Sequence, residues 1–154
     1  MHTNYSIKIY KRPISSIRTE IVLIAKSLTY KWFTPNVPKD TYRDLEFQDV
    51  IILKQFNKII SFIMFTCLDG SIHISLMGTR PKYIGKGYGS ILINEFFKYI
   101  KTIKHKRIIV YTVPPDKKQP YTITLAFYLK HGFKITKEYK ELWESGAIQL
   151  IKEL

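Results

Sequence analysis

Residues 81–93 read Pro-Lys-Tyr-Ile-Gly-Lys-Gly-Tyr-Gly-Ser-Ile-Leu-Ile, with three glycines at alternate positions opening directly into a helical apolar pattern. No other stretch restricts the fold so strongly. Glycines at 85, 87 and 89 carry no Cβ to hold a ligand off the backbone and tolerate positive φ, so successive N–H groups can turn inward around an oxyanion. Beyond them Tyr88, Leu92, Phe96 and Ile100 recur four apart on one helical face, with Lys98 and Lys101 off the stripe. The positive end of that helix would act on the same anion. A phosphate-bearing ligand docked at this helix start is the expectation.

The spacing excludes the two commonest glycine-rich phosphate motifs. A P-loop requires Gly-x-x-x-x-Gly-Lys-Ser/Thr, and the dinucleotide fingerprint requires Gly-x-Gly-x-x-Gly with an acidic residue about 20 positions on. Here the pattern is Gly-x-Gly-x-Gly, and the downstream apolar run Lys106 to Tyr111 carries no acid.

Around this loop the chain reads as alternating strands and helices. Ser6 to Tyr10 alternates as a strand, and from Ile14 apolar residues at 14, 17, 21, 24 and 28 predict a helix to about Lys31. Trp32-Phe33-Thr34-Pro35 breaks it, and a shorter helix is expected over Lys39 to Phe47. Val50 to Phe56, Ile59 to Leu68 and Ser71 to Thr79 form a predicted antiparallel meander, turning at Asn57-Lys58 and Asp69-Gly70. The glycine-led helix then joins this meander to a strand at Lys106 to Thr112, a βαβ unit whose strands should run parallel with a right-handed crossover. A breaker-rich loop, Pro114 to Pro120, precedes a helix over Tyr121 to His131, with Gly132 where a C-terminal glycine belongs. Phe133 to Tyr139 and Ala147 to Glu153 close the chain as an antiparallel pair. The class is α/β, with a mixed sheet of about seven strands and about four helices.

Two motifs in this layout resemble those of a known family. Tyr83-Ile84-Gly85-Lys86-Gly87-Tyr88-Gly89-Ser90 resembles the coenzyme A pyrophosphate loop of the GNAT acyltransferase superfamily, whose pattern is Arg/Gln-x-x-Gly-x-Gly/Ala, with Gly87 and Gly89 at its two small positions. Ala126-Phe127-Tyr128-Leu129-Lys130-His131-Gly132-Phe133 resembles the second signature, a helix ending Phe-Tyr-x-x-x-Gly-Phe. They stand in the family's order with a strand between them. The resemblance implies one acyl-CoA N-acyltransferase-like domain over residues 1–154. It also implies acetyl-CoA as acyl donor and N-acetyl transfer to a primary amine by direct attack in a ternary complex.

Residue roles follow from the same resemblance. Tyr128 matches the tyrosine that lies by the coenzyme A sulfur and protonates the leaving thiolate; a phenol, with a reference pKa of about 10, is a proton donor at neutral pH. Met77, Gly78 and Thr79 match the splayed strand whose freed backbone groups pair with the pantetheine arm and polarise the thioester carbonyl, and Gly78 suits a bulge there. Ile84, Gly85, Lys86, Gly87, Tyr88, Gly89 and Ser90 would cradle the pyrophosphate, with Tyr121 and Thr124 at the usual Asn and Ala positions of the second motif. Ile84 stands where Arg or Gln is common, and Ser75 where many members place a glutamate base. His73 is an alternative base, two residues from Ser75 and on its face if no bulge intervenes, with a reference pKa of about 6.5. Glu144 and Asp116 are its rivals. Trp32, Phe33, Tyr42 and Trp143 are candidates to line the acceptor pocket.

Composition narrows the partners. A length of 154 residues suits one domain with a real core. The apolar run Ile21 to Ala25 is far short of the roughly 18 residues of a membrane span, and the N-terminal residues do not read as a secretory signal, so a cytoplasmic protein is expected. Cys67 is the lone cysteine, and His2, His105 and His131 make no ligand spacing with carboxylates, so no metal is expected. The net charge of +13 comes from lysines scattered from Lys8 to Lys152, dense only over Lys98 to Arg107. That pattern fits a solvated surface and a field favourable to polyanionic coenzyme A better than a nucleic-acid footprint. A homodimer is compatible with these features. The alternative function is non-catalytic: the same fold as an acyl-CoA sensor or a basic nucleic-acid-binding module.

Overall fold

The computed structural model describes residues 4–154, a mixed sheet with helices on both faces. The elements in order are β1 (Tyr5–Lys11), α1 (Ser15–Ser27), α2 (Val37–Asp44), β2 (Asp49–Gln55), β3 (Lys58–Leu68), β4 (Ser71–Thr79), α3 (Tyr88–Thr102), β5 (Arg107–Thr112), α4 (Tyr121–Lys130), β6 (Lys134–Tyr139) and β7 (Ala147–Glu153). The seven strands lie in the order β1-β2-β3-β4-β5-β7-β6, every neighbouring pair antiparallel except β4 and β5. The predicted class, strand number and helix number are all present.

The two faces of the sheet bury separate apolar layers. Ile51, Leu53, Ile63, Ile72, Ile108, Ile148 and Leu150 pack against Leu92, Phe96 and Ile100 of α3, with Tyr128 of α4 in the same layer. On the other face Val50, Ile52, Phe62 and Met64 meet Ile21, Ile24 and Leu28 of the α1 segment. Alternation along β2, with Val50 and Ile52 to one layer and Ile51 and Leu53 to the other, is what a strand buried on both faces requires.

Local boundaries shift for identifiable reasons. The first helix stops at Ser27 rather than Lys31, because Leu28 caps it, Tyr30 takes φ +74° and Thr29 bridges to Phe33. The second begins at Val37, where Pro38 can sit in a first turn that needs no N–H from it, and ends at Asp44 instead of Phe47. The β2–β3 turn is Phe56-Asn57, one residue earlier than expected, both with positive φ (52° and 59°), as the tight hairpin turn demands. Asp69-Gly70 turns β3 into β4 in the same conformation, φ 52° and 77°.

One irregularity matters for the site. Phe65 pairs with Ile74 and Met64 with Leu76, so Ser75 is an extra residue in β4. Ile72 and Ile74 point into the α3 layer, whereas beyond the bulge it is Met77 that packs there and Leu76 that joins the α1 layer. The bulge expected at Gly78 therefore lies at Ser75. Gly78 pairs regularly with Phe62, and its bare Cα serves packing: a Cβ would meet Leu28 Cδ1 at 2.8 Å and Phe62 Cε1 at 3.0 Å.

Candidate active site

β4 and β5 are hydrogen-bonded partners only over Ile72–Ile74 and Ile108–Val110. Past that point β5 keeps its pairing with β7, Tyr111 to Gln149 and Thr112 to Ile148, while β4 keeps its pairing with β3 as far as Thr79. The two parallel strands thus part, and the edge of β4 along Leu76, Met77, Gly78 and Thr79 has no strand on its β5 side. Exposed backbone donors and acceptors in such a gap need partners, so it can take an extended ligand as a strand would. Side chains here are partly engaged: the Thr79 and Ser61 hydroxyls lie 2.8 Å apart, and Ser61 Oγ donates to the Gly78 carbonyl at 3.1 Å.

The chain leaves this edge through a short turn, Pro81–Tyr83, and enters the glycine loop. Gly85 and Gly87 have φ of +78° and +89°, and Gly87 caps α3. The first helical bond runs from Ile91 N–H to the Gly87 carbonyl (3.1 Å), so the amides of Gly89 and Ser90 face out from the helix start with no intrahelical acceptor. Gly89 is helical, and its use is spatial: a Cβ there would stand 3.4 Å from the Phe127 ring and 3.5 Å from Met77 Cε. The open edge of β4, the glycine loop and α4 therefore converge at Gly89. Ile84 and Lys86 are exposed on the loop. Tyr88 turns inward, donating from its hydroxyl to Gln55 Oε1 at 2.9 Å, and Ser90 Oγ lies 2.9 Å from His131 Nε2.

Tyr128 is fixed by the way α4 ends. His131 caps the helix, Gly132 follows at φ +91°, Phe133 N–H donates to Tyr128 C=O (3.1 Å) and Gly132 N–H to Leu129 C=O (3.1 Å), a Schellman ending. Phe133 then packs edge-on against the Tyr128 ring at 5.2 Å, and the Phe127 ring does so at 5.5 Å. Only 4% of Tyr128 is exposed. Its hydroxyl makes no hydrogen bond among the described residues and is not one of their sealed, unpaired polar atoms, so it keeps a small opening to solvent. Burial, with the Tyr121 phenol adding to it, holds the Tyr128 phenol well above the usual tyrosine value, which keeps its proton available.

His73, between Ile72 and Ile74, points to the opposite face of the sheet from the α3 layer. His73 pairs with Ile109 just before β4 and β5 separate, and its ring stacks near Tyr111 at 6.4 Å. Burial lowers its pKa, with Asp69 opposing, so the imidazole is neutral and able to accept a proton at pH 7. The bulge sits at Ser75 itself, so simple alternation does not link His73 to Ser75; Ser75 Oγ donates to Gln48 Oε1. Gln149 Nε2 donates to Tyr111 Oη at 2.8 Å, and Thr136 Oγ1 to Gln149 Oε1 at 3.0 Å, a polar line across β5, β7 and β6. Glu144 and Asp116 are both exposed, in the β6–β7 and β5–α4 loops.

Trp32 ties the α1–α2 segment to the β5–α4 loop and the start of α4. Its carbonyl accepts from Lys118 Nζ and from Tyr121 Oη, each at 2.9 Å, and its indole Nε1 donates to Pro120 C=O at 3.3 Å. Tyr121 is thus engaged by the α1–α2 segment, and burial pushes its phenol up to about 12. Thr124, one turn into α4, is half-buried. Phe33 is core, 9% exposed in the α1 layer. Tyr42 lies under the Arg18 guanidinium at 4.5 Å and borders a groove of about 610 Å³ between α1 and α2, while Trp143 is half exposed on the β6–β7 loop. Tyr111, Gln149 and Lys118 contact the candidate residues and are ones that local sequence reading missed. Strand alternation from Ile109 could have found Tyr111; the other two depend on distant partners.

Among the described residues no cluster of His, Cys, Asp and Glu has the geometry to hold a metal ion, and no helix is long and apolar enough to cross a membrane. His2 lies outside the described residues.

A family model described as an acetyltransferase (GNAT) domain matches residues 46–135, which include both motifs. No curated protein sequence matches the chain. Solved structures similar over nearly the whole length include a GNAT family acetyltransferase from Elizabethkingia anophelis with acetyl-CoA bound (18% identity, TM-score 0.74, covering 99% of each chain). The ribosomal-protein-S18-alanine N-acetyltransferase from Escherichia coli is also similar (12%, 0.77, 96% of this chain and 94% of that one). So is the PaiA N-acetyltransferase from Thermoplasma acidophilum in complex with coenzyme A (16%, 0.72, 97% and 99%). At these identities the likeness is one of fold.

Proposed function

The chain belongs to the GNAT acetyltransferase family, and from that premise we propose that it moves the acetyl group of acetyl-CoA onto a primary amine by direct attack in a ternary complex. The observation that carries this reading is the convergence at Gly89, where an unpaired strand edge, an outward-facing helix start and the Tyr128 helix come together. An extended pantetheine arm would pair with the free edge of β4 at Met77 to Thr79. Its pyrophosphate would lie against Gly85, Gly87, Gly89 and Ser90, whose backbone is shaped for an anion.

The chain's own groups supply the remaining chemistry. The amine nitrogen forms a bond to the thioester carbonyl carbon, the C–S bond breaks, and the thiolate takes a proton from Tyr128 Oη. The amine loses a proton to a base, and neutral His73, next to the point where β4 and β5 part, is the group we favour for it. Tyr111 and Gln149 beside His73 give the acceptor a polar, aromatic wall. Glu144 and Asp116, both exposed, would act as base only through intervening water.

The test is a turnover assay. Purified protein with acetyl-CoA and a panel of primary amines should release coenzyme A thiol in step with N-acetylated product. Tight acetyl-CoA binding with no transfer to any amine would instead favour the acyl-CoA sensor.

A further inference from the structure

We infer that His131 is a positioning residue for the pyrophosphate of the acyl donor, acting through the hydroxyl of Ser90. The inference rests on the reading that this pyrophosphate lies at the start of α3. Ser90 is in the first turn of α3, ahead of the first intrahelical bond, so its own amide is among those that would hold the anion and its hydroxyl is carried on the same residue. His131 Nε2 is 2.9 Å from that oxygen.

His131 is held from several directions, through its backbone and its ring. Its backbone N–H donates to the carbonyls of Phe127 (3.2 Å) and Tyr128 (3.1 Å), and its carbonyl accepts from Lys152 Nζ at 2.9 Å. Its ring lies 4.7 Å from that of Phe127, which in turn borders Gly89. The charged groups around it are Lys130 on its own helix and Lys152 on β7; with burial acting first, they keep the imidazole below its usual pKa and therefore neutral at pH 7.

A neutral imidazole has one N–H, and its position decides what Ser90 can do. If Nε2 accepts, the Ser90 proton is spent on His131. If Nε2–H donates, Ser90 Oγ is satisfied as an acceptor and its own proton is free to point at a phosphate oxygen. Phosphate oxygens only accept, so the bound anion selects the second arrangement. His131 thereby orients a hydroxyl that meets the ligand without touching the ligand itself, in the way an outer hydrogen bond orients a metal ligand.

The experiment is a double-mutant cycle on coenzyme A dissociation constants, measured by calorimetry with thermal melts alongside. Ser90→Ala and His131→Ala should each weaken coenzyme A about tenfold, the size expected for a hydrogen bond to a charged group. The double variant should be no weaker than Ser90→Ala. His131→Gln should recover most of the affinity, because its amide nitrogen can donate to the same hydroxyl. Losses that multiply in the double variant, or a Gln variant as weak as Ala, would overturn the inference, as would a folded His131→Ala protein that binds like wild type. Failure of the wild type to bind coenzyme A would remove the underlying reading as well, and so is told apart from failure of this step alone.

Discussion

Tyr128 and Phe133 are joined twice: the Phe133 N–H donates to the Tyr128 carbonyl at 3.1 Å, and the two rings meet edge to face at 5.2 Å. The turn that ends α4 thus also fixes the orientation of the phenol. Removing only the hydroxyl, in Tyr128→Phe, leaves both links in place. If the phenol protonates the departing thiolate, kcat should fall about 10²- to 10⁴-fold while coenzyme A affinity holds. Full turnover in a folded Tyr128→Phe protein would take the acid out of the mechanism and leave the cofactor site standing.

The pH dependence should be asymmetric. His73 is held below the ordinary imidazole value by burial, so its basic form persists further into acid, and kcat/KM should decline only as pH falls below about 6.5. The raised Tyr128 pKa means no loss from its deprotonation below about pH 10. His73→Gln should lower activity and abolish the acid limb. If the limb survives that change and vanishes in Glu144→Gln or Asp116→Asn, the base is the carboxylate.

Gly87 has φ +89° at the head of α3, where a β-branched side chain is strained and, on the proposed reading, would stand in the path of the pyrophosphate. Coenzyme A at a hundredfold excess over Kd should stabilise the native protein by about 2.7 kcal/mol. Gly87→Val should abolish that ligand-induced rise in Tm. A variant that melts and binds like wild type would reduce the loop to a turn.

Gly78 is a packing position, so its replacement should register in stability before it registers in catalysis. Gly78→Val drives a branched side chain into Leu28 and Phe62 and should cost about 1–3 kcal/mol, read from the denaturant midpoint. An unchanged midpoint would mean that the α1 layer is looser than its burial indicates.

Features set by local chemistry were legible in the sequence. The glycine loop, the Asp69-Gly70 turn and the Gly132 ending each follow from residues that tolerate positive φ, and each is present. The buried strands of the meander declared themselves by their β-branched runs. The bulge at Ser75 did not, because a bulge is a mismatch of count between two strands and neither strand carries it alone. The Trp32 tie to Pro120 and Tyr121 joins segments 88 and 89 residues apart, beyond any local period. Phe33 looked like a pocket wall beside Trp32, yet the bridge from Thr29 turns it into the core. The insertion of β7 between β5 and β6 was likewise invisible, since an antiparallel pair can be read without knowing which member faces the rest of the sheet.

The junction of β4 and β5 spans only Ile72–Ile74 and Ile108–Val110, which makes it the narrow neck between a four-strand slab, β1 to β4, and a three-strand slab, β5, β7 and β6. Breathing of the sheet should concentrate at this neck, where few backbone bonds resist it, and amide exchange there should be faster than in β2 and β3. α3 lies across it as a splint, its apolar face packed with Ile51 and Leu53 of one slab and Ile108, Ile148 and Leu150 of the other. An anion seated at the head of that helix therefore sits on an element that braces both halves.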